Sequence, residues 1–121
     1  MASSRKAGAI PVAGSDAPVD SRDPRPFVNM AAGVNHAPQS GDDFRASQRI
    51  ILDQMLDAYT INGARAVRQQ AISGSIEAGK SADFIVLDRD LYQLVAAGKP
   101  EHIADTKVTR TVFRGQTVFS Q

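Results

Sequence analysis

The hydrophobic period of this chain changes near residue 70, and that change restricts the possible folds more than any other feature. In "SQRIILDQMLDAYTINGARAVRQQA", Ile51, Leu52, Met55, Leu56 and Tyr59 recur at helical spacing and share one face. The pattern predicts a helix over 51–58 and a second over 61–68, with Thr60 capping the second. Gly63 is expected to be a point of close packing, where a side chain would be in the way. Beyond residue 70 the pattern becomes that of strands. Two short ones are expected near 74–77 and 83–88, joined by the turn Glu77-Ala78-Gly79-Lys80. The unbroken apolar run Phe84-Ile85-Val86-Leu87 suits a strand covered on both faces. In "KVTRTVFRGQTVF", Val108, Arg110, Val112 and Arg114 alternate with Thr109, Thr111 and Phe113, and Arg114-Gly115-Gln116 supplies a hairpin turn. The intervening "LYQLVAAGKPEHIADT" reads as irregular, with one turn of helix after Pro100.

The amino-terminal part gives weaker signals. Ile10–Ala13 reads as a short strand that leaves Asp16 near its carboxyl end. "DAPVDSRDPRP" is loop, because proline removes a backbone donor and restricts its predecessor. "FVNMAAGV" (27–34) fits two turns of helix, and "NHAPQSGDD" is another loop. So little apolar mass lies in this stretch that it is expected to need something else to pack on. The inventory is therefore α+β, with one early strand, two or three helices and about four late strands. Four strands do not close a barrel, so sheet edges need covering by the helices or by another copy.

Composition excludes several classes. At 121 residues the chain is one domain by length, and its 42% hydrophobic content is ordinary for a globular protein. A net charge of +1 gives no field for nucleic acid or acidic lipid, so neither is expected as a partner. The absence of cysteine rules out disulfides, thiol nucleophiles and thiolate metal sites. No run is long enough for a membrane helix, and "MASSRKAGA" lacks the apolar middle of a secretory signal, so a cytoplasmic location is expected.

Few residues are candidates for chemistry. Asp16 is either a catalytic carboxylate at a strand end or a turn residue before Pro18. Ser15 has no base within view and no Gly-x-Ser-x-Gly elbow. His36 and His102 lie 66 residues apart in apparent loops; His36 is expected to be solvent-exposed and His102 is assigned no chemistry. Lys80 lacks the frame of a phosphate loop. Asp83 and Asp88 bracket the apolar strand and are expected to hold turns through backbone hydrogen bonds. Gly74, Gly79 and Gly115 read as turn glycines.

Taken in order, "GSDAPV", "LDQMLDAYTINGARAV", "SGSIEAGKSADFIVLDRD" and "IADTKVTRTVFRGQTVF" resemble the carboxyl-terminal part of a metal-dependent amidohydrolase, of the N-acyl hydrolase-like branch, from about Ala7 to Phe119. The resemblance implies a fragment of a (β/α)8 barrel followed by the carboxyl-terminal strands of a composite β-sandwich. Residues 1–70 would be the remnant of barrel strand 8 and its following helices, and 71–121 the sandwich portion. Ile10–Ala13 would be the eighth barrel strand and Asp16 the catalytic, metal-associated aspartate. The family uses zinc or another divalent metal, held by a His-x-His pair and further histidines that this chain does not have. No cofactor is therefore expected in the isolated chain. Where relatives commonly place a serine or threonine before the helix at 51–58, this chain has Ile51, which suggests unusual burial there.

The implied function is that of a carboxyl-terminal module of an enzyme hydrolysing C–N bonds other than peptide bonds, inactive alone. The alternative is a small non-enzymatic structural or interaction protein. Either way the exposed strands point to a homo-oligomer, a dimer, or to a second chain carrying the missing barrel.

Overall fold

The computed structural model describes residues 8–18, 23–35 and 50–121. Its helices are α1 (Pro26–Val34), α2 (Leu52–Tyr59), α3 (Ile61–Ala66) and α4 (Leu91–Ala96), followed by a 3-10 helix at Pro100–Asp105. Three strands, β1 (Phe84–Leu87), β2 (Val108–Phe113) and β3 (Gln116–Ser120), form one antiparallel sheet in that order.

The core is helical and lies to one side of the sheet. Phe27, Met30, Ala31 and Val34 of α1 meet Ile50, Leu52 and Met55, and Leu91 and Ile103 complete the cluster. Ile103 and Val34 are the largest side chains that are fully buried. The expectation that the first forty residues carry little apolar mass is thus corrected. Phe27, Met30, Ala31 and Val34 fall on one face of α1 and are buried, while Ile10 and Val12 stay exposed. Gly33 lets this helix approach α2, since a Cβ there would meet the Met55 side chain at 3.0 Å.

The predicted helices at 27–34 and 51–58 are present, and the third ends at Ala66 rather than Arg68. Three details of their reading change. Thr60 does not cap α3; its hydroxyl donates back to the Leu56 carbonyl at 2.6 Å. Gly63 is not a packing contact, because a Cβ there would meet nothing within 4 Å. Ile51 is 58% exposed rather than unusually buried.

Helix α4 lies in the stretch read as irregular. Asp90 caps it, accepting hydrogen bonds from the backbone N–H groups of Tyr92 and Gln93. Leu91 faces the core from its first position, and Leu94 and Val95 pack beside it. The turn after Pro100 is the 3-10 helix, which delivers Ile103.

No strand forms at 74–77. Gly74 has φ +90°, and a Cβ there would lie 2.6 Å from the Ala64 side chain. The chain crosses α3 too closely to run extended with a side chain on that face. It then bends through the turn in which the Lys80 N–H donates to the Glu77 carbonyl at 3.1 Å. Ile10–Ala13 is not in a ladder either; it is an extended segment docked on helices.

The sheet is tied at both ends of β1. At one end Asp88 accepts from the Lys107 N–H at 2.9 Å, while its own N–H donates to the Lys107 carbonyl. At the other end Asp83 accepts from the Arg114 N–H at 2.7 Å. Both aspartates hold the backbone as the sequence predicts. Phe84 lies opposite Val112, Ile85 opposite Thr111, and Thr111 in turn opposite Phe119. Arg114 and Gly115 both have positive φ, which suits the twist of a tight hairpin. Leu87 and Val108 pack on the helical core. The rest of β1 does not: Phe84, Ile85 and Val86 are 37%, 48% and 43% exposed, against the expectation of cover on both faces.

Two outcomes follow from this packing. Ile103→Ala leaves a cavity at the centre of the core and should cost about 2–5 kcal/mol in denaturant unfolding. Asp88 is held at a pKa of about 2, below its ordinary 3.8, by the Arg89 guanidinium and the Lys107 N–H. A depressed carboxyl stabilises the fold fully above its unfolded pKa, and that contribution is lost as pH falls through the folded one. Stability should therefore drop between about pH 4 and pH 2. Asp88→Asn should flatten that part of the profile in an acid titration followed by circular dichroism.

Candidate functional site

Asp16 stands at the end of a segment held by two hydrogen bonds. The Ala13 N–H donates to the Ala58 carbonyl at the end of α2, at 3.0 Å. The Asn62 Nδ2 donates to the Pro11 carbonyl, also at 3.0 Å. Asn62 is buried in the first turn of α3, and its Oδ1 accepts from Arg65 at 3.1 Å. The α2–α3 junction thus supplies both anchors. Beyond them the chain turns: Ser15 Oγ accepts from the Ala17 N–H at 3.2 Å, and Asp16 has φ +48°. Aspartate tolerates this left-handed conformation better than most residues. The carboxylate is exposed.

The other candidates are not gathered around it. His36 lies outside the described residues. His102 is on the 3-10 helix, with Nδ1 3.1 Å from Asp105 Oδ2. Among the described residues, no group of three or more His, Cys, Asp or Glu side chains is placed to hold a metal ion. Zinc ordinarily takes at least three protein ligands with a further position open. The described residues therefore do not make up a metal site, and no metal-dependent step is assigned to them.

Lys80 serves the turn that precedes the sheet. Its ammonium donates to Ser75 Oγ at 2.6 Å and to Glu77 at 3.0 Å, and Ser75 also donates to Glu77. That contact and the Lys80 ion pair lower the Glu77 pKa. A serine beside a lysine would suggest a nucleophile and its base. Here Ser75 gives its own proton to Glu77 and accepts from the ammonium, so the trio is a clamp.

A concave surface does exist elsewhere. An open groove of about 1070 Å³ runs between α3, the 73–77 loop and the sheet, and its floor includes Ile61, Val67, Phe84 and Val112. Asp57, Glu77 and Asp83 stand in its lining, with no lysine or arginine.

Sequence reading missed Asn62. An asparagine three residues past Tyr59, the last residue of the amphipathic α2, was the available signal, since an amide that becomes buried is nearly always hydrogen-bonded. It also missed the link from α4 to α2, in which the Tyr92 hydroxyl donates to Asp53 at 2.7 Å and the Tyr92 pKa is raised.

Comparison with known proteins decides the family. A family model described as Amidohydrolase family matches residues 1–119. The chain belongs to that family. An amidohydrolase from Thermotoga maritima MSB8 superposes on 97% of the chain with a TM-score of 0.68 at 23% identity, which shows the shared fold. The amidohydrolase YtcJ of Bacillus subtilis is 26% identical over 115 residues. The N-substituted formamide deformylase of Arthrobacter pascens is 38% identical over 65 residues, 54% of this chain and 12% of its own. An imidazolonepropionase of Bacteroides fragilis is 34% identical over 67 residues, 55% of this chain and 15% of its own. The chain spans 21% of YtcJ and 24% of the Thermotoga protein, so it corresponds to a quarter or less of these amidohydrolases.

Asn62→Ala removes the donor to Pro11 and leaves that carbonyl unpaired. It should cost about 1 kcal/mol, since the site is only partly buried, and should speed hydrogen exchange at the Ala13 N–H. Unchanged exchange at Ala13 would show that Asn62 does not hold the segment.

Proposed function

We propose that this chain is the carboxyl-terminal module of a metal-dependent amidohydrolase acting on C–N bonds other than peptide bonds, with Asp16 as its one catalytic-centre residue. The family match over residues 1–119 carries the reading, because it spans Asp16 and the two anchors of its segment together. Division near residue 70, into helices that carry the Asp16 segment and strands of a composite sandwich, belongs to the same reading.

In this proposal Asp16 would be the carboxylate that orients a water and accepts its proton; a zinc or similar ion, held by ligands from outside this chain, would make that water more acidic. The exposure of Asp16 supports it, since an exposed carboxylate is open to such a complement. Substrates of the whole enzyme would be small amides or cyclic ureide-like compounds. The names of the formamide deformylase and the imidazolonepropionase point that way. A cytoplasmic location is proposed with it; among the described residues no helix is long and apolar enough to cross a membrane.

The module by itself is proposed to be catalytically silent. Purified chain incubated with zinc or manganese should not hydrolyse N-acyl amino acids, amides, N-substituted formamides or lactones. Mixed with a related amidohydrolase truncated before its own carboxyl-terminal quarter, it should restore hydrolysis, and Asp16→Asn should abolish the restored activity. Turnover by the chain alone that Asp16→Asn removes would contradict silence. Restored activity indifferent to Asp16→Asn would remove Asp16 from the centre.

A further inference from the structure

The chain has three asparagines, Asn29, Asn35 and Asn62, and only Asn62 is followed by glycine. In an Asn–Gly pair the glycine's backbone nitrogen can attack the side-chain amide carbon, because glycine has no side chain to hinder the approach. The N–Cγ bond forms, the Cγ–Nδ2 bond breaks, and ammonia leaves. Water then opens the resulting succinimide at either carbonyl. The product is an aspartyl residue, or an isoaspartyl residue whose main chain runs through the former side-chain carbon. The sum is amide plus water giving carboxylate plus ammonium, with no change of oxidation state.

The fold restrains this pair in two ways. Asn62 is only 6% exposed, at the second position of α3, and Gly63 follows it in the same helix. Helical backbone angles keep the following nitrogen out of line for attack on the side-chain carbon. The amide is also held at both atoms: Nδ2 donates to the Pro11 carbonyl at 3.0 Å, and Oδ1 accepts from Arg65 at 3.1 Å. Neither restraint is permanent. Helix α3 has six residues with a glycine among them, and so short a helix depends on what packs against it. The Gly63 N–H, in the first turn, has no acceptor within the helix. The Pro11 carbonyl belongs to an extended segment outside the sheet, held by this bond and by the Ala13 N–H on the Ala58 carbonyl.

We infer that Asn62 is a self-modification site, gated by the docking of residues 10–16. While the segment is docked, the amide is fixed and α3 stays wound. When the segment lifts, α3 unwinds and the Gly63 nitrogen reaches Cγ. Conversion then bars return, since a carboxylate oxygen replaces the Nδ2 donor and faces the Pro11 carbonyl, acceptor against acceptor. Arg65 can pair with one oxygen of the new carboxylate, but the segment offers the other no donor in place of the Pro11 carbonyl. An isoaspartyl link adds a backbone atom to α3 and breaks its hydrogen-bond register. Either product leaves the segment, and Asp16 with it, unanchored. The inference goes beyond the hydrolase reading and holds whatever the role of Asp16.

Peptide mass spectrometry of the purified chain, incubated at mildly alkaline pH, tests it. Asn62 should convert ahead of Asn29 and Asn35, although both of these are less buried. Gly63→Ala should slow the conversion roughly tenfold or more, by hindering the nitrogen. A Cβ there meets nothing within 4 Å, so this variant keeps its packing. Ala13→Pro removes the N–H that holds the segment and should speed conversion severalfold without touching the reacting pair. Asn62→Asp mimics the aspartyl product, and its Ala13 N–H should exchange roughly tenfold faster than in the unaltered chain. Circular dichroism checks that each variant is folded. Conversion of Asn29 or Asn35 as fast as Asn62 would overturn the inference. So would an Asn62 that stays intact in the folded chain, a rate indifferent to Gly63→Ala or to Ala13→Pro, or unchanged Ala13 exchange in Asn62→Asp.

Discussion

The burial of Ile103 against α1 is the contact on which the remaining structure depends. It sets the 3-10 helix across Phe27, Met30 and Val34, and α2 closes the other side through Leu52 and Met55. From this centre the chain leaves in two directions. Leu87 and Val108 attach the sheet to the core by one end of the β1–β2 ladder. The α2–α3 junction holds the segment that presents Asp16, through Ala58 and Asn62. The helical core thus closes on itself, while the sheet and the aspartate are displayed by it.

That arrangement accounts for an apparent contradiction in the strands. An uninterrupted run such as Phe84–Leu87 signals two covered faces, yet three of its four residues are exposed. The pattern in the sequence describes the environment a strand requires, and the described residues provide only part of it. Asp83 and Asp88 supply the remaining order locally, by fixing the backbone at either end of the strand. Hydrogen bonds of this kind define a register without burying apolar area, so the sheet is specified in geometry but not closed in packing.

Elements that depend on short-range chemistry were legible in the sequence. The helical spacing of Leu52 and Met55, the hairpin around Gly115 and the roles of Asp83 and Asp88 all follow from neighbouring residues. Features set by distant contacts were not. Gly74 bends away from a strand because Ala64, ten residues earlier, occupies the space a side chain would need. The apolar residues of α1 looked too few to matter until Ile103 met them. Helix α4 is a different case: Asp90 with Leu91, Leu94 and Val95 spelled a capped helix, but the following glycine and proline dominated the reading. At the candidate site Asp16 was legible through the order of motifs. Its anchor Asn62 was not, because the partner is a backbone carbonyl 51 residues away.

The central claim is a closed helical core that carries the sheet as a less protected appendage. Native-state hydrogen exchange tests it most directly, since exchange resolves local opening from global unfolding. Amides of α1, α2 and the 3-10 helix should exchange only through global unfolding. Those of β1 and β3 should exchange faster, through local opening of the sheet. Equal protection of helices and strands would contradict the account, because it would mean that the sheet is closed as firmly as the core.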